Sequence, residues 1–170
     1  KPMAILGIIC IVCGGLLGVV ESVTREPIRV QAEATATAGM KKVAPEAASF
    51  EAIEIAADEN YDGIGVKTAN VALDASGETI GYVVEVLPSG FGGTIDLMVG
   101  VDNEGVVTGI SVLSLSESPG LGANAKEEWF QEQFVGVTAP VAVTKDVGQI
   151  EAITSSTITS RAVSDVVTAA

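Results

Sequence analysis

The segment that most constrains this chain is an uncharged apolar run near its start, Ala4 to Val20, reading AILGIICIVCGGLLGVV. At ~1.5 Å of rise per residue, a helix of that length nearly crosses a hydrocarbon core of ~30 Å, which takes ~17–25 residues. Glu21 ends the run. The apolar stretch is long for the h-region of a secretory signal, and no small-x-small cleavage site follows it, so a spanning anchor is the preferred reading. Gly7, Gly14, Gly15 and Gly18 lie within it and would let a neighbouring helix approach closely, which points to assembly in a membrane complex. The plainer reading is an anchor that tolerates its glycines. Charge does not orient the span: Lys1 precedes it, while Arg25 and Arg29 follow it beside Glu21 and Glu26.

The remaining residues divide into a linker or helical extension over 23–38, with Pro27 breaking it, and one domain over 39–170. The anchor itself is taken as 1–22. The expected fold class is α+β, with a twisted, mainly antiparallel sheet and flanking helices. A short helix is expected from about Gly39. Phe50–Ala57 alternates as a strand. Val66–Leu73 and Ile80–Leu87 read as strands joined by the turn Asp74-Ala75-Ser76-Gly77. Ile95–Val101 and Val106–Leu113 flank a second turn, Asp102-Asn103-Glu104-Gly105. Ser89–Thr94 is a glycine-rich turn. Ala123–Phe134 has the spacing of an amphipathic helix anchored by Trp129, Phe130 and Phe134, and Ser160–Thr168 reads as a closing helix.

Composition excludes several kinds of chemistry. There is no histidine, so a Ser-His-Asp or Cys-His centre is ruled out, as is the commonest metal ligand. The net charge of −13, from 22 acidic and 9 basic residues without a basic cluster, argues against nucleic acid and suits a solvated surface. Cys10 and Cys13 are the only cysteines. Their CxxC spacing lies inside the apolar run, where cysteine packs as a small apolar residue, so a packing role is preferred over a redox or metal role. No catalytic side chain and no metal ligand is assigned. A borrowed redox cofactor is the economical source of reactivity.

Two segments are suited to holding one. Of the seven residues 154–160, six carry hydroxyls: Thr154, Ser155, Ser156, Thr157, Thr159 and Ser160, interrupted by Ile158. They sit where a helix begins, and its free N–H groups and positive dipole end suit a phosphate. Arg161 is placed to add charge. An ordinary N-cap explains the same residues on spacing alone. The second segment, Glu117-Ser118-Pro119-Gly120-Leu121-Gly122, is a rigid loop that allows close backbone approach to a flat ring, with Glu117 as an acceptor or a brace. Taken alone, it is equally a plain connecting loop.

Three blocks in order add a resemblance. GFGGTIDLMVGVDNEGVVTGISVL (90–113) is similar to a Gly-Tyr/Phe-Gly-Gly start followed by a hairpin. ESPGLG (117–122) is similar to ETPGLG, and EAITSSTITSRAV (151–163) to the pattern D-A-I-S/T-G-A-T-x-T-S. Together with the anchor, they resemble the FMN-binding domain of the Rnf G subunit and its relative, the Nqr C subunit. The likeness spans most of the chain after about residue 60. The resemblance implies an FMN joined through its phosphate to Thr157 and attached by a flavin transferase that uses FAD as donor, once the domain has crossed the membrane. It implies that the neighbouring hydroxyls and the 117–122 loop hold the cofactor. It also implies a single-pass subunit, its domain extracytoplasmic, in a complex passing electrons between ferredoxin and NAD while moving Na⁺ or H⁺. The departures are Glu151 for the pattern's Asp and Ser155-Ser156 for its Gly-Ala; Ser155 lacks glycine's freedom if that position needs φ > 0. The competing readings are a flavin-free assembly subunit, a stand-alone extracytoplasmic flavoprotein reductase, and an Nqr C-like subunit, to which the short chain is the poorer match.

Overall fold

The computed structural model of the protein describes residues 2–55, 60–61 and 64–170. Its chain falls into two units, Lys1–Thr37 and Ala38–Ala170. The first is helical from Pro2 onward. Helix α1 runs from Pro2 to Val43 and is long and apolar enough to cross a membrane, with mean hydropathy reaching 2.3. Ile5, Leu6, Leu16, Leu17 and Val23 are exposed along it, and Cys10 and Cys13 are free and exposed as well.

The expected break at Pro27 is absent: α1 continues through it. Proline removes one donor and crowds one carbonyl, at a cost of ~3 kcal/mol, but leaves the ladder on either side intact. Arg25 pairs with Glu21, and Arg29 with Glu26 and Glu33, on the turns that flank it. Such exposed pairs contribute little, so they assist the helix without offsetting the proline alone.

The second unit is an antiparallel sheet with its closing helix and short helical pieces on one face and the last turn of α1 against the other, at Gly100 and Gly109, the α+β class read from the sequence. Its strands are β1 (Ser49–Ile53), β2 (Asn60–Tyr61), β3 (Ile64–Leu73), β4 (Thr79–Leu87), β5 (Asp96–Asp102) and β6 (Val107–Ser114). The order is β1-β3-β4-β5-β6, with β2 also on β3. The first strand ends at Ile53, short of the expected Ala57, which lies outside the described residues. Both Asp-x-x-Gly turns form as read. Asp74 Oδ1 accepts from the N–H groups of Ser76 and Glu78 at 2.7 and 2.9 Å. Asp102 Oδ1 accepts from those of Glu104 and Val106 at 2.8 and 2.9 Å. Each aspartate satisfies two turn amides that the strands cannot.

Val86, Leu97, Val99, Ile110 and Val112 supply one sheet face. They pack against Phe130, Phe134, Ile150, Ile153, Val163, Val166 and Val167. The last turn of α1, from Ala38, belongs to this unit. Val43 is fully buried, and its carbonyl accepts from Thr108 Oγ1 at 2.6 Å.

The expected helix over 123–134 is instead three short pieces: 3₁₀ turns at Gly122–Lys126 and Glu132–Phe134 flank α2 (Glu128–Gln131). Glu127 is extended, at φ −69° and ψ 141°, and interrupts the ladder. Gln131 makes the interruption tolerable, because its side-chain amide donates to the freed carbonyls of Ala125 and Lys126 at 3.3 and 2.8 Å. Phe130 and Phe134 still reach the core, edge to face at 5.4 Å, while Trp129 is half exposed. The closing helix α3 spans Thr157–Ala169, starting three residues earlier than expected.

Candidate functional site

Thr157 is the first residue of α3. Ser156 stands at the N-cap without a side-chain hydrogen bond, so its own hydroxyl leaves the first-turn amides free. The turn before it is tight. Ser155 stands at φ 61°, a left-handed conformation that aims the chain into the helix. Ser160 Oγ donates to the Ser156 carbonyl and accepts from the Ile153 N–H, both at 3.0 Å, which stitches this turn to the helix that follows.

Across from it, Glu117 is buried and engaged at both oxygens. Oε1 accepts from the Gly92 N–H and Oε2 from Thr159 Oγ1, each at 3.0 Å. One carboxylate thereby joins the three blocks singled out in the sequence. The neighbouring glycines are needed for closeness. A Cβ on Gly92 would strike the Ser116 carbonyl, and one on Gly122 would strike the Glu117 carboxylate and lie 2.8 Å from Thr159 Oγ1. In the 117–122 loop, the Ser118 carbonyl accepts from the N–H groups of Leu121 and Ala123 at 3.1 and 3.2 Å.

These elements enclose a cavity of about 390 Å³ lined by Phe91, Glu117, Ser118, Leu121, Gly122, Ser155, Ser156, Thr157 and Ile158. Its volume is within the range of ~300–1,000 Å³ usual for small-molecule sites. Phe91, Leu121 and Ile158 are 72, 41 and 53% exposed, an apolar rim beside a helix N-terminus. Another cavity of about 390 Å³ opens between Ile53, Ile64, Val66, Val84, Val86 and the far end of α3 at Val166. It is walled by aliphatic side chains with Glu54 and lies away from any helix N-terminus, so it does not suit an anion.

Not every sequence-predicted site residue reaches the cavity. Glu117, Ser118, Leu121, Gly122, Ser155, Ser156, Thr157 and Ile158 do. Pro119 and Gly120 shape the loop, and Thr154 is an exposed residue of the turn. Thr159 and Ser160 are fully buried with their hydroxyls committed inside the protein. Arg161 points to Asp146: Nε and Nη2 donate to Oδ2 and Oδ1 at 2.6 and 2.7 Å. Hydrogen bonds from that guanidinium hold the Asp146 carboxyl below its ordinary value against an opposing effect of burial, and the charges of Arg161 and Lys145 add to the depression. The nearest cation to Thr157 is instead Lys145, whose Nζ donates to Oγ1 at 2.8 Å. Sequence reading missed Lys145, and it left Phe91 outside the candidate set.

A buried acidic brace, glycine-lined close approaches and a helix N-terminus beside an apolar rim suit a ligand with a phosphate and a flat apolar part, and residues 90–170 match the FMN-binding domain family. Over 97% of its length, the chain is 34% identical to the G subunit of the ion-translocating oxidoreductase complex of Methanosarcina acetivorans and covers 88% of that protein. It is 35% identical over 94% of its length to the G subunit of the Na(+)-translocating ferredoxin:NAD(+) oxidoreductase complex of Acetobacterium woodii, covering 83% of it. The chain belongs to the family of G subunits of ion-translocating oxidoreductase complexes. An FMN suits the residues present: the uncapped amides at Thr157 fit a phosphate, and Phe91, Leu121 and Ile158 fit the faces of an apolar ring system.

Proposed function

We propose that this chain relays electrons within a membrane ion-translocating ferredoxin:NAD oxidoreductase through an FMN esterified by its phosphate to Thr157. A flavin transferase with FAD as donor installs it, on a domain lying on the extracytoplasmic side, and other subunits of the complex give and take the electrons. The observation that carries this reading is Thr157 Oγ1 itself, at the uncapped N-terminus of α3 and on the wall of the 390 Å³ cavity.

When bound, FMN supplies an acceptor and donor of one or two electrons. The chain's residues divide the remaining work. Thr157 would tether it, and the first-turn amides beside Ser155 and Ser156 would take the phosphate. Ile158, Leu121 and Phe91 would hold the ring, and Ser118 and Gly122 would offer backbone to it. Glu117 braces the cradle by holding Gly92 and Thr159, while Ser160, Thr154, Pro119 and Gly120 shape the two loops. A tether keeps the cofactor on a face of the membrane where free FMN is scarce.

The test is Thr157→Ala, matured in cells that carry the transferase. Wild type is expected to show in-gel flavin fluorescence and an intact mass raised by one FMN, and Thr157→Ala neither. A fluorescent band in the variant, or bare Thr157 in the wild type, sinks the reading.

A further inference from the structure

The 3₁₀ turn Thr144–Asp146 lies opposite the start of α3, and its two charged residues meet that helix in sequence order. Thr157 and Arg161 are four residues apart and share one helix face. Asp146 takes Arg161 through two hydrogen bonds, and Lys145 takes Thr157 through one at 2.8 Å. The turn is held from behind. The Gly148 N–H donates to the Val143 carbonyl at 3.0 Å, Val143 bridges Ile150, and Val147 is locked at φ 64° although its side chain is almost wholly exposed. Among the described residues, Lys145 forms no direct ion pair, though its charge also acts on neighbouring Asp146, and its hydrogen bond goes to the threonine. An ammonium has only donors. Thr157 Oγ1 is therefore the acceptor in this contact, and its own hydrogen is turned away from the lysine.

We propose that Lys145 is the positioning cation of the flavin attachment site: it fixes the rotamer of Thr157, favours negative charge developing on Oγ1, and pairs with the phosphodiester once formed. This rests on Thr157 being the attachment point. In the transfer, Thr157 Oγ1 bonds to the flavin-side phosphorus of FAD, and the phosphoanhydride P–O bond to AMP breaks. The hydroxyl proton passes to the transferase or solvent, and AMP leaves. Nothing is oxidised or reduced. The product carries one negative charge beside Nζ. Asp146 and Arg161 serve Lys145 by clamping its turn to α3, which explains why the arginine is not itself the phosphate partner.

The experiment follows intact mass over time for the full-length chain in detergent, incubated with a flavin transferase, Mg²⁺ and FAD. Wild type, Lys145→Met, Lys145→Arg and Thr157→Ala are compared at two ionic strengths. Loss of one charge-assisted hydrogen bond is expected to slow Lys145→Met about tenfold or more, and Lys145→Arg is expected to stay within about threefold of wild type. Added salt should slow the wild type more than Lys145→Met, because an exposed cation is screened. Thermal melts of all four should coincide, separating positioning from folding. Equal rates for wild type and Lys145→Met overturn the assignment while leaving Thr157 standing; equally slow Met and Arg variants overturn the charge role. A wild type that never gains mass, or a Thr157→Ala that does, overturns the attachment reading and this inference with it.

Discussion

Ser155 holds φ 61°, where a residue with a Cβ pays ~1–2 kcal/mol relative to the right-handed region. The motif this segment resembles has glycine there, and the backbone shows why: the chain must turn sharply to bring Thr157 to the helix mouth. Ser155→Gly is expected to stabilise the domain by about 0.5–1 kcal/mol, the strain relieved being partly offset by a floppier unfolded chain. A melting temperature a few degrees higher, with attachment no slower, is the expected result. A lower melting temperature would show that the serine side chain contributes more than its backbone costs. At this scale the sequence was informative about chemistry and poor on orientation. Thr157 was legible as a hydroxyl at a helix start. Which of its neighbours face the cavity depends on helix phase, and so Thr159 and Ser160, equally hydroxylic, turned out to be structural. Lys145 was not legible, because its contact with Thr157 spans 12 residues and forms only when a separate turn docks on α3.

The hairpin strands were read well, because each pair is closed by an Asp-x-x-Gly turn that carries its own acceptor. β3 to β6 accordingly fall within a residue or two of expectation. The failures were helical. The apolar spacing of Trp129, Phe130 and Phe134 survives in the folded chain, but Gln131 satisfies the carbonyls that a broken ladder exposes, and periodicity cannot see that. Proline at position 27 breaks a bond and not the element. The clamp between the Thr144–Asp146 turn and α3 is an element-scale device with a pH signature. The Asp146 carboxyl is depressed when folded, chiefly by Arg161. Its contribution is therefore complete above the unfolded value near ~3.9 and fades as pH falls through the lower folded value. The stability gap between wild type and Asp146→Asn, followed by Trp129 fluorescence in denaturant, should be constant from pH 7 to 5 and shrink on further acidification. A gap that widens in acid would contradict the clamp.

On the scale of the whole molecule, the two units divide the labour. Every residue of the main core lies in Ala38–Ala170. A fragment of residues 38–170 is expected to be soluble without detergent, to unfold cooperatively, and to accept flavin. A fragment starting at residue 44 should be markedly less stable, because it lacks buried Val43, the acceptor for Thr108, and the Lys42 contact to Gln131 at 2.8 Å. Gel filtration and thermal unfolding of the pair check this; equal stability would mean that the last turn of α1 contributes nothing to the domain.

Glu117 ties Gly92, 25 residues before it, to Thr159, 42 residues after it. A polypeptide whose final helix has been made but not docked therefore lacks the finished cradle around Thr157. Under the proposed attachment, loading of the prosthetic group would double as a quality filter: only molecules with completed tertiary structure would become coloured.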